Sequence, residues 1–232
     1  MTTLFSYCIP HDNGAAPNPF WGVCTLVICK PRIRREAEVG EWIVGTGSAD
    51  SPIGDIRGKV VYAMRVTDKM PMRRYDAYVR EHLPNKIPSW HSRDPRLTAG
   101  DSIYDFAYDP PNVRKSVHCQ CDRDRDLRGQ YALLSEHFYY FGDQPRQLPN
   151  HLQGLIKSGQ GRRSRANDVY IEPFLARLDS LGLEPNRLFG KPRGNLFRKW
   201  AHDVEFRSKC GSSRTVRASE SCRRAGRKSA GG

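Results

Sequence analysis

Four short stretches carry side chains suited to anion binding or base stacking. Lys30-Pro31-Arg32-Ile33-Arg34-Arg35 packs four cations into six residues. Arginine forks take phosphate oxygens two at a time, and a run that leaves a strand has an anchored backbone. Glu36 and Glu38 follow and offset part of this charge. Gly40 to Ser48 reads as a strand ending in Gly-Thr-Gly-Ser, where glycine permits close approach and Thr46 and Ser48 supply hydroxyls. It lacks both the Gly-Lys-Ser/Thr ending of a P-loop and the third glycine of a dinucleotide fingerprint. Gly159-Gln160-Gly161-Arg162-Arg163-Ser164-Arg165 sets three arginines after two glycines, a pattern that suits a phosphate clasp. A solvated surface explains the basic runs equally well. Phe138-Tyr139-Tyr140-Phe141 alternates two aromatic pairs, one expected in the core and the other free to stack a base.

Other chemistries find little support. His118-Cys119-Gln120-Cys121 groups three soft ligands, but no paired Cys-x-x-Cys knuckles accompany them, so no metal site is expected. Cys24 and Cys29 fall in an apolar run and read as core residues rather than as nucleophiles. The deaminase pattern, the Gly-x-Ser-x-Gly elbow and His-Glu-x-x-His are all absent. Asp101-Ser102-Ile103-Tyr104 places a carboxylate beside two hydroxyls and also reads as a turn into a strand.

These side chains need elements to hold them. Strands are expected at Thr3–Ile9, at Gly22–Cys29 as a central strand, at Glu41–Thr46, at Lys59–Thr67 and at His137–Phe141. In Lys59–Thr67, Val60, Tyr62, Met64 and Val66 form one apolar face. Met72, Tyr75, Val79 and Leu83 recur at helical spacing until Pro84 stops them. A second helix opens at Glu172-Pro173 and ends before Gly182, and a third short one is expected at Asn195–His202. Strands come first and helices later, which argues for an α+β fold: a small mixed sheet or a pseudo-barrel with a few flanking helices.

The chain has 232 residues and a formal net charge of +13. Eight Lys/Arg and one acid lie between Arg207 and Gly232, so +7 of that charge belongs to a segment almost without large apolar residues. Such a segment cannot bury enough surface to offset its ordering entropy, and a disordered basic tail is expected at 207–232, after a single domain at 1–206. No apolar run approaches the roughly 20 residues that span a bilayer. The N-terminus lacks signal-peptide character, and seven irregularly spaced cysteines do not form a secreted disulfide framework. A cytoplasmic protein with reduced thiols is expected.

The order of several segments resembles a known family. They are Ala16-Pro17-Asn18-Pro19-Phe20, Val23-Cys24-Thr25-Leu26, Cys29 to Arg34, Val39 to Ser48, Val61 to Thr67, Asp101 to Tyr104, Phe138 to Gly142 and Gly159 to Arg162. Together they are similar to the bacterial and phage nucleotide modification associated domain proteins, second family of that name. The resemblance spans about Leu4 to Leu181, and Arg163 stands where the family usually has His. It implies association with DNA base hypermodification but carries over no catalytic residue. The Val39–Val66 region is also similar to small PUA, ASCH and EVE-type barrels, an analogy of fold alone.

Two functions follow as alternatives. One is a binding module that takes a base or nucleotide into a basic, aromatic-lined pocket. Its residues would be Asn18, Lys30, Arg32, Arg34, Arg35, Trp42, Thr46, Ser48, Arg65, Tyr104 and Arg162. The other is an enzyme acting directly on a nucleotide or DNA base through Asp101, Tyr104, Lys30 or Arg65. DNA or a nucleotide is the expected partner, with RNA a second candidate. The sequence leaves any cofactor unidentified.

Overall fold

The computed structural model describes residues 2–157, 162 and 164–194. The expected basic tail and the helix expected at Asn195–His202 lie outside the described residues, and of the 159–163 stretch only Arg162 lies within them. Along the chain the elements are β1 (Leu4–Cys8), β2 (Cys24–Leu26), α1 (Pro31–Glu36), β3 (Trp42–Thr46), β4 (Lys59–Arg65), β5 (Asp68–Pro71), α2 (Met72–His82), α3 (Pro95–Thr98), β6 (Tyr104–Asp105), β7 (Asn112–Val113), α4 (Arg123–Leu127), β8 (Tyr131–Ser135), β9 (His137–Tyr140), β10 (Arg146–Gln147), α5 (Ile171–Asp179) and β11 (Arg187–Leu188).

The main sheet is mixed and six-stranded, in the order β1-β3-β4-β9-β11, with β10 on β4. β1 runs parallel to β3 and β11 parallel to β9, while β3, β4 and β9 alternate in direction. β1 and β11 form the two ends of the path, so the sheet is open. The fold is α+β as expected, but no closed barrel forms among the described residues, and the pseudo-barrel expectation is corrected. A second sheet, β2-β8-β5, and the β6–β7 hairpin complete the β structure.

Both faces of the main sheet are covered, which explains why its strands read as nearly continuous apolar runs. On one face, Phe5, Tyr7, Tyr62, Met64, Phe138 and Tyr140 pack against Cys24, Leu26, Ile33 and Leu133 from the second sheet and α1. On the other, Leu4, Trp42, Val44, Ala63, Tyr139 and Phe141 pack against Leu152, Leu155, Phe174 and Leu178. Fully burying such a side chain contributes about 1.5–3 kcal/mol. Neither aromatic pair of 138–141 is left for a base, because each face of β9 has its own core.

The expected strand at Gly22–Cys29 is corrected. Only Cys24–Leu26 pairs, at the edge of the small sheet against β8. Beyond it Cys29 and Lys30 adopt left-handed backbone, at φ of 58° and 40°, and Pro31 opens α1. A short element thus turns abruptly into a helix. α2 and α5 lie where their periodicity placed them; Met72, Tyr75 and Val79 form the buried stripe of α2. The long connections 85–100 and 144–167 hold short helical turns, at Pro95–Thr98, Asn150–Leu155 and Arg165–Tyr170. No helix among the described residues is long and apolar enough to cross a membrane.

Candidate functional site

The turn between β2 and α1 puts Cys29 at an elbow. Non-glycine residues seldom adopt positive φ, and the residue before a proline is normally extended, so Cys29-Lys30 is a strained pair that its surroundings must hold. Arg34, three residues into α1, provides that hold. Its guanidinium is fully buried and donates to the Cys29 carbonyl at 2.8 Å, to the Tyr131 carbonyl on β8 at 2.9 Å and to the Asp126 carbonyl on α4. Gly129 makes room for it: a Cβ there would lie 2.4 Å from the guanidinium.

This clamp brings three chemically active side chains into line. The Cys29 sulfur lies 3.4 Å from His118 Nε2, and His118 Nδ1 lies 2.5 Å from Asp126 Oδ2. The carboxylate is itself fixed. Tyr104 donates its hydroxyl to Oδ2 at 2.8 Å, and the Cys29 backbone N–H donates to Oδ1 at 3.0 Å. Cys29 is partly exposed, His118 nearly buried and Asp126 fully buried. The order is nucleophile, imidazole, orienting carboxylate.

Electrostatics follow from burial and pairing. Burial alone would lower the His118 imidazole, but the hydrogen bonds to Asp126 and Cys29 outweigh it and raise it to about 11. Burial would raise Asp126, yet the His118 contact outweighs it and holds the carboxyl below its usual range. Burial and the Asp126 charge push the Tyr104 phenol up, so it remains a donor. Burial lowers the Lys30 ammonium, against the opposing pull of Cys29 and Cys8. That ammonium lies 4.4 Å over the Tyr7 ring, and among the described residues no carboxylate pairs with it.

The same three residues could be imagined around a cation, since their donor atoms fall within 4.8 Å of one another. The imidazole argues against that. Its two nitrogens are already engaged, Nε2 by the sulfur and Nδ1 by the carboxylate, so an ion would have to displace one of these hydrogen bonds. Cys119 and Cys121 beside them are joined in a disulfide, with Cα atoms 5.3 Å apart, whereas Cys8, Cys24 and Cys29 are free thiols.

The residues expected from sequence divide sharply. Asn18, Arg34, Thr46 and Tyr104 are interior, and their polar atoms serve the fold. Asn18 donates to the Ala99 carbonyl and accepts from Lys86. Thr46 donates to the Tyr7 carbonyl. Tyr104 therefore positions Asp126 and cannot stack a ligand. Asp101 is also buried, accepting from Thr25 at 2.5 Å and Tyr75 at 2.7 Å, which corrects its reading as an acid or base for a substrate. The rim glycines serve packing rather than ligand approach. A Cβ on Gly45 would lie 2.4 Å from the Tyr62 ring, and one on Gly47 would lie 2.2 Å from the Ile56 carbonyl oxygen. Ser48 caps a local turn by accepting from Asp50 N. Trp42 is buried edge-on to His137, and Arg65 beside it is exposed, so both lie at a shallow hollow on the sheet face opposite Tyr7.

Arg32, Arg35 and Arg162 do come together, and Lys30 lies over the neighbouring ring of β1. Arg162 caps the Phe5 ring at 5.8 Å while Lys30 caps Tyr7, two residues along the same strand face. Burial, then the charges of Arg32 and Arg35, lower the Arg162 guanidinium, as expected for a cluster of like charges. Arg32 and Arg35 are exposed on α1. Glu36 contacts both Arg35 and Arg162 and partly neutralises the group.

From sequence, Cys29 reads as a core residue, His118 as part of a weak ligand group, and Asp126 is not singled out. One signal was available: Pro31 after an apolar run marks a helix start, which puts Cys29 at a strand-to-helix elbow. Nothing local announces that His118 and Asp126 arrive from the far side of the chain. A family model described as nucleotide modification associated domain 2 matches residues 1–198. No curated protein and no solved structure matches the chain.

Proposed function

Since the chain belongs to the nucleotide modification associated domain 2 family, we propose that it is an enzyme that modifies a nucleotide or nucleobase through a covalent Cys29 intermediate. The observation that carries this reading is the Cys29–His118–Asp126 line, with sulfur and carboxylate on opposite nitrogens of one buried imidazole. A core cysteine needs no such partner, and an elbow with left-handed backbone at Cys29 and Lys30 has a folding cost that packing alone does not explain.

In this mechanism the Cys29 sulfur attacks an electrophilic carbon while its proton rests on His118. The new S–C bond replaces the bond to the leaving group, which receives the proton from His118. An acceptor, water or a second substrate, then attacks the same carbon and gives its proton to His118. The S–C bond breaks, and the thiol is regenerated. Asp126 keeps the ring oriented and its positive form stable throughout. Lys30 stands beside the sulfur without a carboxylate partner and suits an anionic group on the substrate. Arg32, Arg35 and Arg162 form a rim to which nucleotide phosphates are attracted.

The binding-only alternative predicts salt-dependent affinity without a special thiol. The two are separated by alkylating the folded protein with iodoacetamide and mapping the modified peptides. The expected result is rapid labelling of Cys29, slowed about tenfold or more in His118→Ala because the sulfur loses the base that takes its proton. Labelling of Cys29 at the rate of a free thiol, unchanged in His118→Ala, would remove the basis for covalent chemistry and leave the binding module.

A further inference from the structure

A cleft lies away from the cysteine. It has a volume of about 300 Å³ and forms where the loop after Asn18, the start of α3 and the 186–192 segment meet. That volume is at the small end of the range for small-molecule sites, which suits one compact ligand rather than a polymer groove. Phe20, Trp21, Leu188 and Pro192 make its walls, and Phe138 lies at its base. Arg96 and Lys191 complete the lining.

Three features mark the cleft as more than a surface dent. Trp21 holds φ of 66°, and Asn186, another lining residue, holds 60°; left-handed backbone is rare for a bulky aromatic. Leu188 leaves 42% of its surface uncovered although its strand pairs with β9, so an apolar wall stays open. The charged residues that line it are both cations. The Arg96 guanidinium lies 5.0 Å over the Trp21 ring, Lys191 is exposed, and no carboxylate lines the cleft. Asp94 pairs with Arg96 at 2.7 Å and offsets its charge, so the exposed Lys191 supplies the open cation of the rim.

Flat apolar walls favour a planar ring, which gains contact area and stacking on an indole face. A cationic rim favours a negative substituent on that ring. We infer that this cleft binds a planar heteroaromatic ring carrying an anionic group, the chemistry of a nucleoside monophosphate. None of Cys29, His118 and Asp126 lines it, so its occupancy is separate from the proposed thiol chemistry.

The test is calorimetric titration of the full chain with thymidine monophosphate, deoxyadenosine monophosphate, the two nucleosides and inorganic phosphate. The monophosphates are expected to bind with Kd below about 1 mM, the nucleosides about tenfold or more weakly, and phosphate least of all. Lys191→Glu and Leu188→Asp, both at exposed positions, should each weaken the monophosphates by about tenfold or more. Cys29→Ser should bind as the wild type does. Circular dichroism melts confirm that each variant folds, and Lys191→Glu alone decides the matter if Leu188→Asp does not. Absence of monophosphate binding would overturn the inference. So would wild-type affinity in Lys191→Glu combined with loss in Arg32→Glu/Arg35→Glu, since the ligand would then sit on the α1 rim. Either failure leaves the alkylation behaviour of Cys29 untouched, and loss of that behaviour leaves the cleft untouched.

Discussion

Replacing Asp126 with Asn tests the site most directly, because it keeps the shape and removes the charge. In the folded protein the His118 imidazole lies at about 11, against an ordinary value of 6.5. At about 1.4 kcal/mol per tenfold, that corresponds to ~6 kcal/mol of net preference for the charged ring, left after burial has opposed the contacts to Asp126 and Cys29. Removing one partner of a buried pair costs about 3–5 kcal/mol in general. Asn can still accept the Cys29 N–H on Oδ1, but its amide faces His118 and Tyr104 as a donor, so a loss of about 3 kcal/mol or more is expected. The pH dependence carries the sign. A raised imidazole contributes stability that is fully present below pH 6.5 and fades as pH rises through about 11. Urea unfolding at pH 6, 7.5 and 9, chosen within that window, should therefore show wild-type stability declining with pH. Asp126→Asn should start lower and decline less. Equal midpoints for the two proteins across this range would show that the carboxylate does not hold the imidazolium, and the relay would fail as an electrostatic unit.

Three further outcomes follow from the surroundings of the site. Arg34→Met should destabilise by about 3 kcal/mol or more, because three carbonyls lose their donor; Arg32→Ala and Arg35→Ala should stay within about 0.5 kcal/mol in the same urea titration, as exposed positions do. Gly45→Ala should cost about 1–3 kcal/mol or more and lower the thermal midpoint, since its Cβ would meet the Tyr62 ring at 2.4 Å and Ile9 at 2.3 Å; a neutral effect would mean that β3 and β4 can separate there. Lys86→Met should cost about 3–5 kcal/mol. Its ammonium is fully buried and donates to Asn18, Val23 and Thr25, so the variant strands those acceptors beside the Asp101 carboxylate. Wild-type stability in that variant would show the network to be dispensable.

Much of the fold could be read along the chain. Period-2 and period-3.6 apolar patterns act over a few residues, so β1, β3, β4, β9, α2 and α5 lie close to where the spacing placed them. The exceptions have local causes. The 22–29 run looked like a central strand because it is apolar throughout, yet it is buried by two different cores and turns at Cys29. β8, a five-residue run, was missed, although it pairs with both β2 and β5. The open sheet in place of a barrel depends on which edges remain unpaired, a question of whole-chain topology.

Residue type fared worse at assigning roles. Lys30-Pro31-Arg32-Ile33-Arg34-Arg35 looked like one basic cluster, but helical geometry turns Arg34 inward as a clamp and leaves Arg32 and Arg35 outside. Tyr104 looked like a stacking platform and became a support for Asp126. By itself the sequence determined composition, charge, the α+β class, most long elements and membership of a nucleotide modification family, because these depend on local pattern and on matched segments. Only the tertiary structure decided the site. Cys29, His118 and Asp126 are separated by up to 97 residues, and their chemistry depends on hydrogen-bond distances that arise when the 29–34 and 118–131 segments meet at one buried arginine.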